Sequence, residues 1–295
     1  MPQHDTEYLT TRELAELLRI KERKVYDLAA SGQIPCSRAM GKLLFPRQEI
    51  ESWLARESSG GVQSRAMRRP GVLLGSYEPL LEWALRESGC GLATLLDGSL
   101  DGLERFAHDE GVATGLHIYD PVGNEWNVAS VTERFAQAPV VLVEFAWRER
   151  GLIVLRGAEA EFADVAALKG RRMVPRQVGA GSQVLLLHLL GQAGLGAQDV
   201  QWADVARTES DAALAVLEGK ADATLGLRAM ADQLRLGFVP LLRERYDLLV
   251  DRRAWFDPPM QRLVDFCRGA AFQAKAAALA GYDVDGFGKV HFNGA

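Results

Sequence analysis

Residues 176–190 read RQVGAGSQVLLLHLL, and this stretch limits the architecture more than any other. A short strand-like run, Arg172 to Arg176, stops at a turn of small residues, Gly179-Ala180-Gly181. Ser182 follows, and then a strongly apolar helix with Val184, Leu185, Leu187 and Leu190. Strand, small-residue turn and helix in that order belong to an α/β domain. The first N–H groups of the helix have no intrahelical partner, and its dipole adds partial positive charge beside them. Ser182 can cap those donors or share its hydroxyl with a bound anion. The stretch alone fits an ordinary turn as well as an anion site, so the rest of the chain has to decide.

At 295 residues the chain is long enough for more than one domain. Its 48% apolar and 25% charged residues suit a globular protein. The opening MPQHDTEYLT lacks the basic and apolar regions of a secretory signal, and no apolar run reaches about 18 residues. A cytoplasmic protein without membrane contact is expected. Cys36, Cys90 and Cys267 lie far apart in no metal or redox spacing, which suits a reducing compartment. The net charge of −5 is unevenly spread. Residues 1–70 hold 12 Lys+Arg against 9 Asp+Glu, and the remainder holds 22 against 30. A basic head on an acidic body points to nucleic acid at the head.

Within the head, residues 1–57, Thr10 and Glu13 have capping-box spacing, and Leu14, Leu17 and Leu18 make one apolar stripe. A second helix, KERKVYDLAASG, turns Val25, Leu28 and Ala29 inward and ends at Gly32. A short strand at Ile34-Pro35 and a second at Leu44-Phe45-Pro46, around a Gly41-Lys42 turn, predict a hairpin, and a third helix starts near Arg47 with Ile50, Trp53 and Leu54 buried. This is the layout of a winged helix-turn-helix. The phrases YLTTRELAELLRI, VYDLAASGQIP and GKLLFPRQEIESWL resemble the excisionase-like and MerR-like heads of bacterial regulators. The resemblance implies binding of operator DNA through Thr11, Lys21, Arg23, Lys24 and Tyr26 and through a wing carrying Arg38 and Lys42. A linker over 58–70 contains Ser58-Ser59-Gly60-Gly61 and three arginines, Arg65, Arg68 and Arg69, that are further candidates for the DNA backbone.

The body, residues 71–295, alternates strand-like runs with amphipathic helices, which predicts a mostly parallel sheet covered on both faces. Separate strands are expected at Val140–Phe145, Leu152–Leu155, Phe238–Leu242 and Tyr246–Val250. The pattern restarts near Ala158, so the body should form two lobes around a cleft, with ligands beyond the carboxyl ends of the strands. Gly75-Ser76-Tyr77, Gly98-Ser99 and Gly181-Ser182 each place a small residue and a hydroxyl after a strand and before a helix. Three equivalent turns could hold one anion from both sides of the cleft.

The segments GSYEPLLEWAL, LDGSLDGLERFA, GLHIYD, RQVGAGSQVLL, LEGKADATLGLRAMA and ERYDLLV look like the periplasmic-binding-protein-like domain related to molybdate-binding proteins. This implies a type II periplasmic-binding-protein fold, with molybdate or tungstate as leading ligands held by hydroxyls and backbone amides. The site residues so implied are Ser76, Tyr77, Ser99, Arg176, Gly181, Ser182 and Tyr246. The first turn, Gly75-Ser76-Tyr77-Glu78, departs from the Gly-Ser-His-Asp more usual in such domains. Arg176 suits a carboxylate by bidentate pairing as well as it suits an oxyanion, or it serves as a salt-bridge residue between the lobes. Tyr246 either reaches the cleft or packs at the hinge. No Gly-x-Ser-x-Gly elbow, Walker loop or nucleophile–base pair is evident. The five histidines do not pair at metal spacing, and His117 and His188 read as structural. The expected protein is a non-enzymatic, cofactor-free regulator, a homodimer or higher homo-oligomer, sensing a small anion. The alternatives are a regulator sensing a small organic carboxylate and an accessory protein or enzyme of molybdenum-cofactor metabolism.

Overall fold

In a computed structural model of the chain, residues 8–39, 41–47, 49–50, 53–54 and 69–295 are described, Arg38 and Ala39 by their backbone alone. Arg65, Arg68, the Ser58–Gly61 run and the opening segment lie outside the described residues. The chain divides into two compact units, a head and a body, between residues 68 and 69.

The head is built as local signals dictate. Strand β1 (Tyr8–Thr10) runs into the helix Thr11–Leu18, whose capping box forms on both sides. The Thr10 hydroxyl accepts from the Glu13 amide (3.3 Å), and the Glu13 carboxylate accepts from the Thr10 amide (2.8 Å). The helix Glu22–Ala30 follows, then the hairpin β2 (Ser37–Ala39) and β3 (Lys42–Pro46), with β3 in the centre of a three-stranded antiparallel sheet. Residues 47, 49–50 and 53–54 are helical. Leu9, Leu14, Ala15, Val25, Ile34, Phe45 and Ile50 form the core. Leu17, expected inward, is 47% exposed. At 100° per residue the stripe through Leu14 and Leu18 continues to Ala15, and Leu17 falls off its other side.

The body is built on one mixed sheet of ten strands, where a mostly parallel sheet was expected, with a separate two-stranded ribbon beside it. The sheet's main path runs β11 (Gln201–Trp202), β10 (Arg172–Val174), β12 (Ala223–Leu227), β9 (Val140–Val154), β13 (Gly237–Asp251), β6 (Ala113–Leu116), β4 (Val72–Gly75) and β5 (Ala93–Leu95); β14 (Tyr282–Asp283) and β15 (Val290–Asn293) also pair with β9, and β7 (Tyr119–Asp120) and β8 (Glu125–Trp126) form the ribbon. At one end β4 (Val72–Gly75), β5 (Ala93–Leu95) and β6 (Ala113–Leu116) are parallel. At the other, β10 (Arg172–Val174), β11 (Gln201–Trp202) and β12 (Ala223–Leu227) are parallel. Between them run two antiparallel strands of 15 residues each, β9 (Val140–Val154) and β13 (Gly237–Asp251), which belong to both lobes. Each replaces two of the expected shorter strands. The sequence reads as broken because Arg148-Glu149-Arg150 and Arg243-Glu244-Arg245 interrupt the apolar runs. Paired in register, Arg148 opposite Glu244, those charges lie within the ladder.

Arg69 belongs to the body. Its guanidinium lies 4.1 Å from the Phe106 ring centroid, bonds the Phe106 carbonyl (2.6 Å) and pairs with Asp109 (2.7 Å). No helix among the described residues is long and apolar enough to cross a membrane.

Close backbone approach seats the helix Ser99–Ala107 on the carboxyl ends of β4 and β6. A Cβ added at Gly102 would lie 2.3 Å from Gly75 Cα and 2.4 Å from Thr114 Oγ1. We expect Gly102→Ala to destabilise the protein by about 1–3 kcal/mol in urea unfolding, the usual cost of overpacking. An unchanged midpoint would mean that this helix has room to move.

Candidate functional site

His117, which directly follows β6 and is 2% exposed, lies where the strand ends of the first lobe meet the start of a helix from the second. Ser76, directly after β4, places its Oγ 2.8 Å from His117 Nε2. Ser99, the first residue of its helix, accepts the His117 amide on its hydroxyl (3.2 Å). From the second lobe, the helix Gly181–Gln192 abuts the same residue: a Cβ at Gly181 would lie 2.5 Å from the His117 carbonyl oxygen. The lobes also touch where Leu100 N donates to Gly179 O (3.1 Å) and Gln177 Nε2 donates to Asp97 O (2.9 Å).

Neither helix facing this junction has a side-chain cap; their N-caps are Gly98 and Ala180. The helices Pro79–Glu87 and Glu209–Leu217 are capped by Glu78 and Thr208. Ser182 leaves its own helix end uncapped. Its Oγ is buried without a hydrogen-bond partner, at 2% exposure of the residue. A buried hydroxyl without a partner costs free energy that a ligand oxygen would recover.

A buried ionic chain lies beneath. Arg148 NH2 donates to Glu244 Oε1 (2.5 Å), and Arg150 Nε lies 2.7 Å from Glu244 Oε2. Arg150 also pairs with Glu209 (3.1 Å), which Arg176 approaches at 3.1 Å. Burial would raise the Glu244 carboxyl, but Arg148, Arg150 and His117 outweigh it and hold it well below the usual range. Glu209 is lowered in the same way, its burial overcome by Arg150 and Arg176. His117 Nδ1 lies 3.2 Å from Glu244 Oε2. Burial lowers the imidazole below its ordinary value against the pull of Glu244, and Arg148 and Arg150 lower it further.

The residues singled out from sequence fall in three places. Ser76, Ser99 and Gly181 touch His117, and Ser182 follows Gly181 in the chain. Tyr246, fully buried, donates its hydroxyl to the Ser76 carbonyl (2.6 Å) and lies under the Arg148 guanidinium (4.6 Å to the ring centroid). Tyr77 and Arg176 are engaged elsewhere. The Tyr77 hydroxyl donates to Glu82 (2.9 Å). Arg176 spends its donors on Glu209 and on the carbonyls of Ala206 (3.0 Å) and Arg207 (2.7 Å), all in its own lobe. Glu78 turns into the protein, capping Leu81 N and accepting the Tyr282 hydroxyl.

His117, Glu244, Arg148, Arg150 and Glu209 were not legible as site residues. One signal was present. The tripeptide Arg-Glu-Arg occurs in both long strands, and alternation turns the arginines of one and the glutamate of the other to the same face. Ser76, His117 and Glu244 also form a hydroxyl–imidazole–carboxylate chain, the arrangement that activates a serine nucleophile. Here the carboxylate is already paired with two arginines and the serine is 6% exposed. Among the described residues no group of three or more His, Cys, Asp or Glu side chains is placed to hold a metal ion.

In the head, Lys21, Arg23, Lys24 and Lys42 are exposed and Tyr26 is 52% exposed. Thr11 is buried at the start of its helix.

A two-lobed α/β body in a chain with a helix-turn-helix head is the architecture of binding and regulatory proteins. The family described as PBP superfamily domain matches residues 82–268, well over half of the chain, and the chain belongs to that family. Residues 8–58 match a helix-turn-helix domain. The chain is 26% identical to the uncharacterized protein YvgK of Bacillus subtilis (strain 168), across 97% of this chain and 98% of that one. Over 25% of its length it is 32% identical to an uncharacterized protein from the 5' region of the ferredoxin 2Fe-2S gene of Clostridium pasteurianum, covering 67% of that protein. The body shares its fold with a putative phosphate ABC transporter substrate-binding protein with bound phosphate from Clostridium perfringens. That likeness has a TM-score of 0.53 and 11% identity, and covers 72% of this chain and 99% of that one.

Replacing Glu244 with Gln leaves Arg148 and Arg150 facing an uncharged amide. We expect a loss of about 3–5 kcal/mol in urea unfolding, as for other broken buried pairs. The sign with pH follows from the depressed values of Glu209 and Glu244. Their contribution is complete above the ordinary carboxylate value of about 4.3 and fades as the pH falls through the folded values. Unfolding midpoints measured between neutral and acid pH should therefore drop on the acid side, with a shallower drop in the Glu244→Gln variant.

Proposed function

We propose that this protein is a DNA-binding transcription regulator whose body senses a tetrahedral oxyanion, molybdate or tungstate first, without turning it over. The observation that carries the ligand class is the donor set at the junction of the lobes. It consists of the Ser76 and Ser99 hydroxyls at His117 and two helix ends without side-chain caps, one of them carrying the buried, unpartnered Ser182 hydroxyl. Neutral donors of this kind suffice for a desolvated anion, since each hydrogen bond to a charged group contributes about 1.5–3 kcal/mol. Arg176 is committed to Glu209 and two backbone carbonyls, so a carboxylate has no free guanidinium fork here. This favours a metal oxyanion over an organic acid.

Binding across both lobes stabilises the state in which the lobes touch, and ligand control of DNA binding follows from that differential affinity. The head reads DNA through the helix Glu22–Ala30 and the hairpin, with two copies of the chain on a two-fold operator.

Thermal unfolding of the full chain should rise with molybdate and tungstate. A clear rise with organic acids and none with molybdate, tungstate or sulfate would overturn the ligand class. Ser182→Ala should weaken molybdate binding by about 10–100-fold in calorimetry, the loss of one charge-assisted hydrogen bond. Hydrolysis of p-nitrophenyl acetate is expected to be the same for the wild type and Ser76→Ala; a rate that falls with Ser76 would make the protein an esterase. At the head, alanine at both Arg23 and Lys24 should weaken duplex DNA binding and reduce the slope of log K against log salt by about 2. An unchanged slope would place the DNA contacts elsewhere.

A further inference from the structure

The chain of contacts from Ser76 through His117 to Glu244 fixes which way each hydrogen points. Glu244, ionised between Arg148 and Arg150, can only accept. Its contact with His117 Nδ1 therefore places the imidazole hydrogen on Nδ1. In the neutral ring Nε2 is then an acceptor, and the Ser76 hydroxyl, 2.8 Å away, must donate to it. Ser76 is thus left with only oxygen lone pairs to offer a ligand. An oxyanion that carries no proton, as molybdate and tungstate do near neutral pH, would meet an acceptor where it needs a donor.

We infer that oxyanion binding is proton-linked through the Ser76–His117 pair: one proton from solvent is taken up onto His117 Nε2 as the anion enters. Nε2–H then donates to Ser76 Oγ, and the Ser76 hydroxyl turns its own hydrogen to the ligand. This deepens the oxyanion reading given above and rests on it. His117 is faced by Ser76 after β4, by Glu244 and the Tyr246 ring on β13, and by Arg148 and Arg150 on β9; Glu209 acts on it through charge. The ionised carboxylates Glu209 and Glu244 stand against three buried arginines, Arg148, Arg150 and Arg176, while burial pushes Glu78 up towards its neutral form, so the cluster has no spare negative charge. Without a ligand nothing compensates an imidazolium, and burial keeps His117 neutral. An arriving dianion supplies the missing negative charge. The alternative, in which Ser76 rotates to the ligand without a proton, leaves the buried Nε2 lone pair without a donor.

The test is calorimetry of the full-length protein with sodium molybdate, at one pH in buffers of different ionisation enthalpy, and then across pH. We expect close to one proton taken up per molybdate bound at about pH 8, and a dissociation constant that rises about tenfold per pH unit while free His117 is neutral. His117→Gln places an uncharged amide donor opposite Ser76. It should bind molybdate with no proton uptake and a flat pH profile, its fold checked by thermal unfolding without ligand. Molybdate binding to the wild type with no proton uptake and a flat profile would overturn the proton linkage and leave the oxyanion reading intact. No binding of molybdate, tungstate, sulfate or phosphate at any pH would remove that reading, and the linkage with it. If His117→Gln does not fold, proton uptake by the wild type decides alone.

Discussion

The pairing of Arg148 and Arg150 with Glu244 is the contact on which the body depends. It sits where β9 and β13 run side by side between the lobes, with all three residues at most 1% exposed. Removing a charge from water is expensive, and an apolar pair of similar volume is often as stable as a buried ion pair. Specificity of register is the physical return. A slip of one residue between two strands of 15 would turn Glu244 to the other face and strand two guanidinium groups among apolar side chains. The strands are therefore held in one alignment, and each lobe is built on one end of it.

The candidate site inherits its geometry from that alignment. Glu244 orients His117; Tyr246, two residues on along the same face, holds the Ser76 carbonyl and lies under Arg148. Arg150 reaches Glu209 at the start of a helix in the second lobe, and Glu209 in turn engages Arg176. A continuous polar path thus crosses from Ser76 in one lobe to Arg176 in the other. It carries formal charge within it and leaves only uncharged hydroxyls at the junction of the lobes.

The head obeys a different logic. Its core is small, its signals are local, and they agree: a capping box, two short amphipathic helices and a tight hairpin each point to the same structure. That agreement made the two helices and the hairpin of the head legible, while Leu17, the strand Tyr8–Thr10 and the position of the first hairpin strand, Ser37–Ala39 where Ile34-Pro35 was expected, were not. The three Gly-Ser turns of the body were legible for a similar reason, because a strand stop, a small residue and an N-terminal hydroxyl are all local properties. Arg176 was legible as a cation near a strand end and not as the partner of Glu209, 33 positions away in the chain.

The sequence by itself determined the two parts of the chain, the α/β class of the body, the helix starts that face its cleft, and the exposed cations of the head. All of these depend on periodicity, capping and turn chemistry within a few residues. Tertiary structure alone decided that two interrupted apolar runs are single long strands, that His117 lies at the meeting point of both lobes, and that Arg176 is spent. Each of these depends on which charge meets which. A buried charge is tolerable only with its partner, and Arg148 and Glu244 find one another across 96 residues of chain.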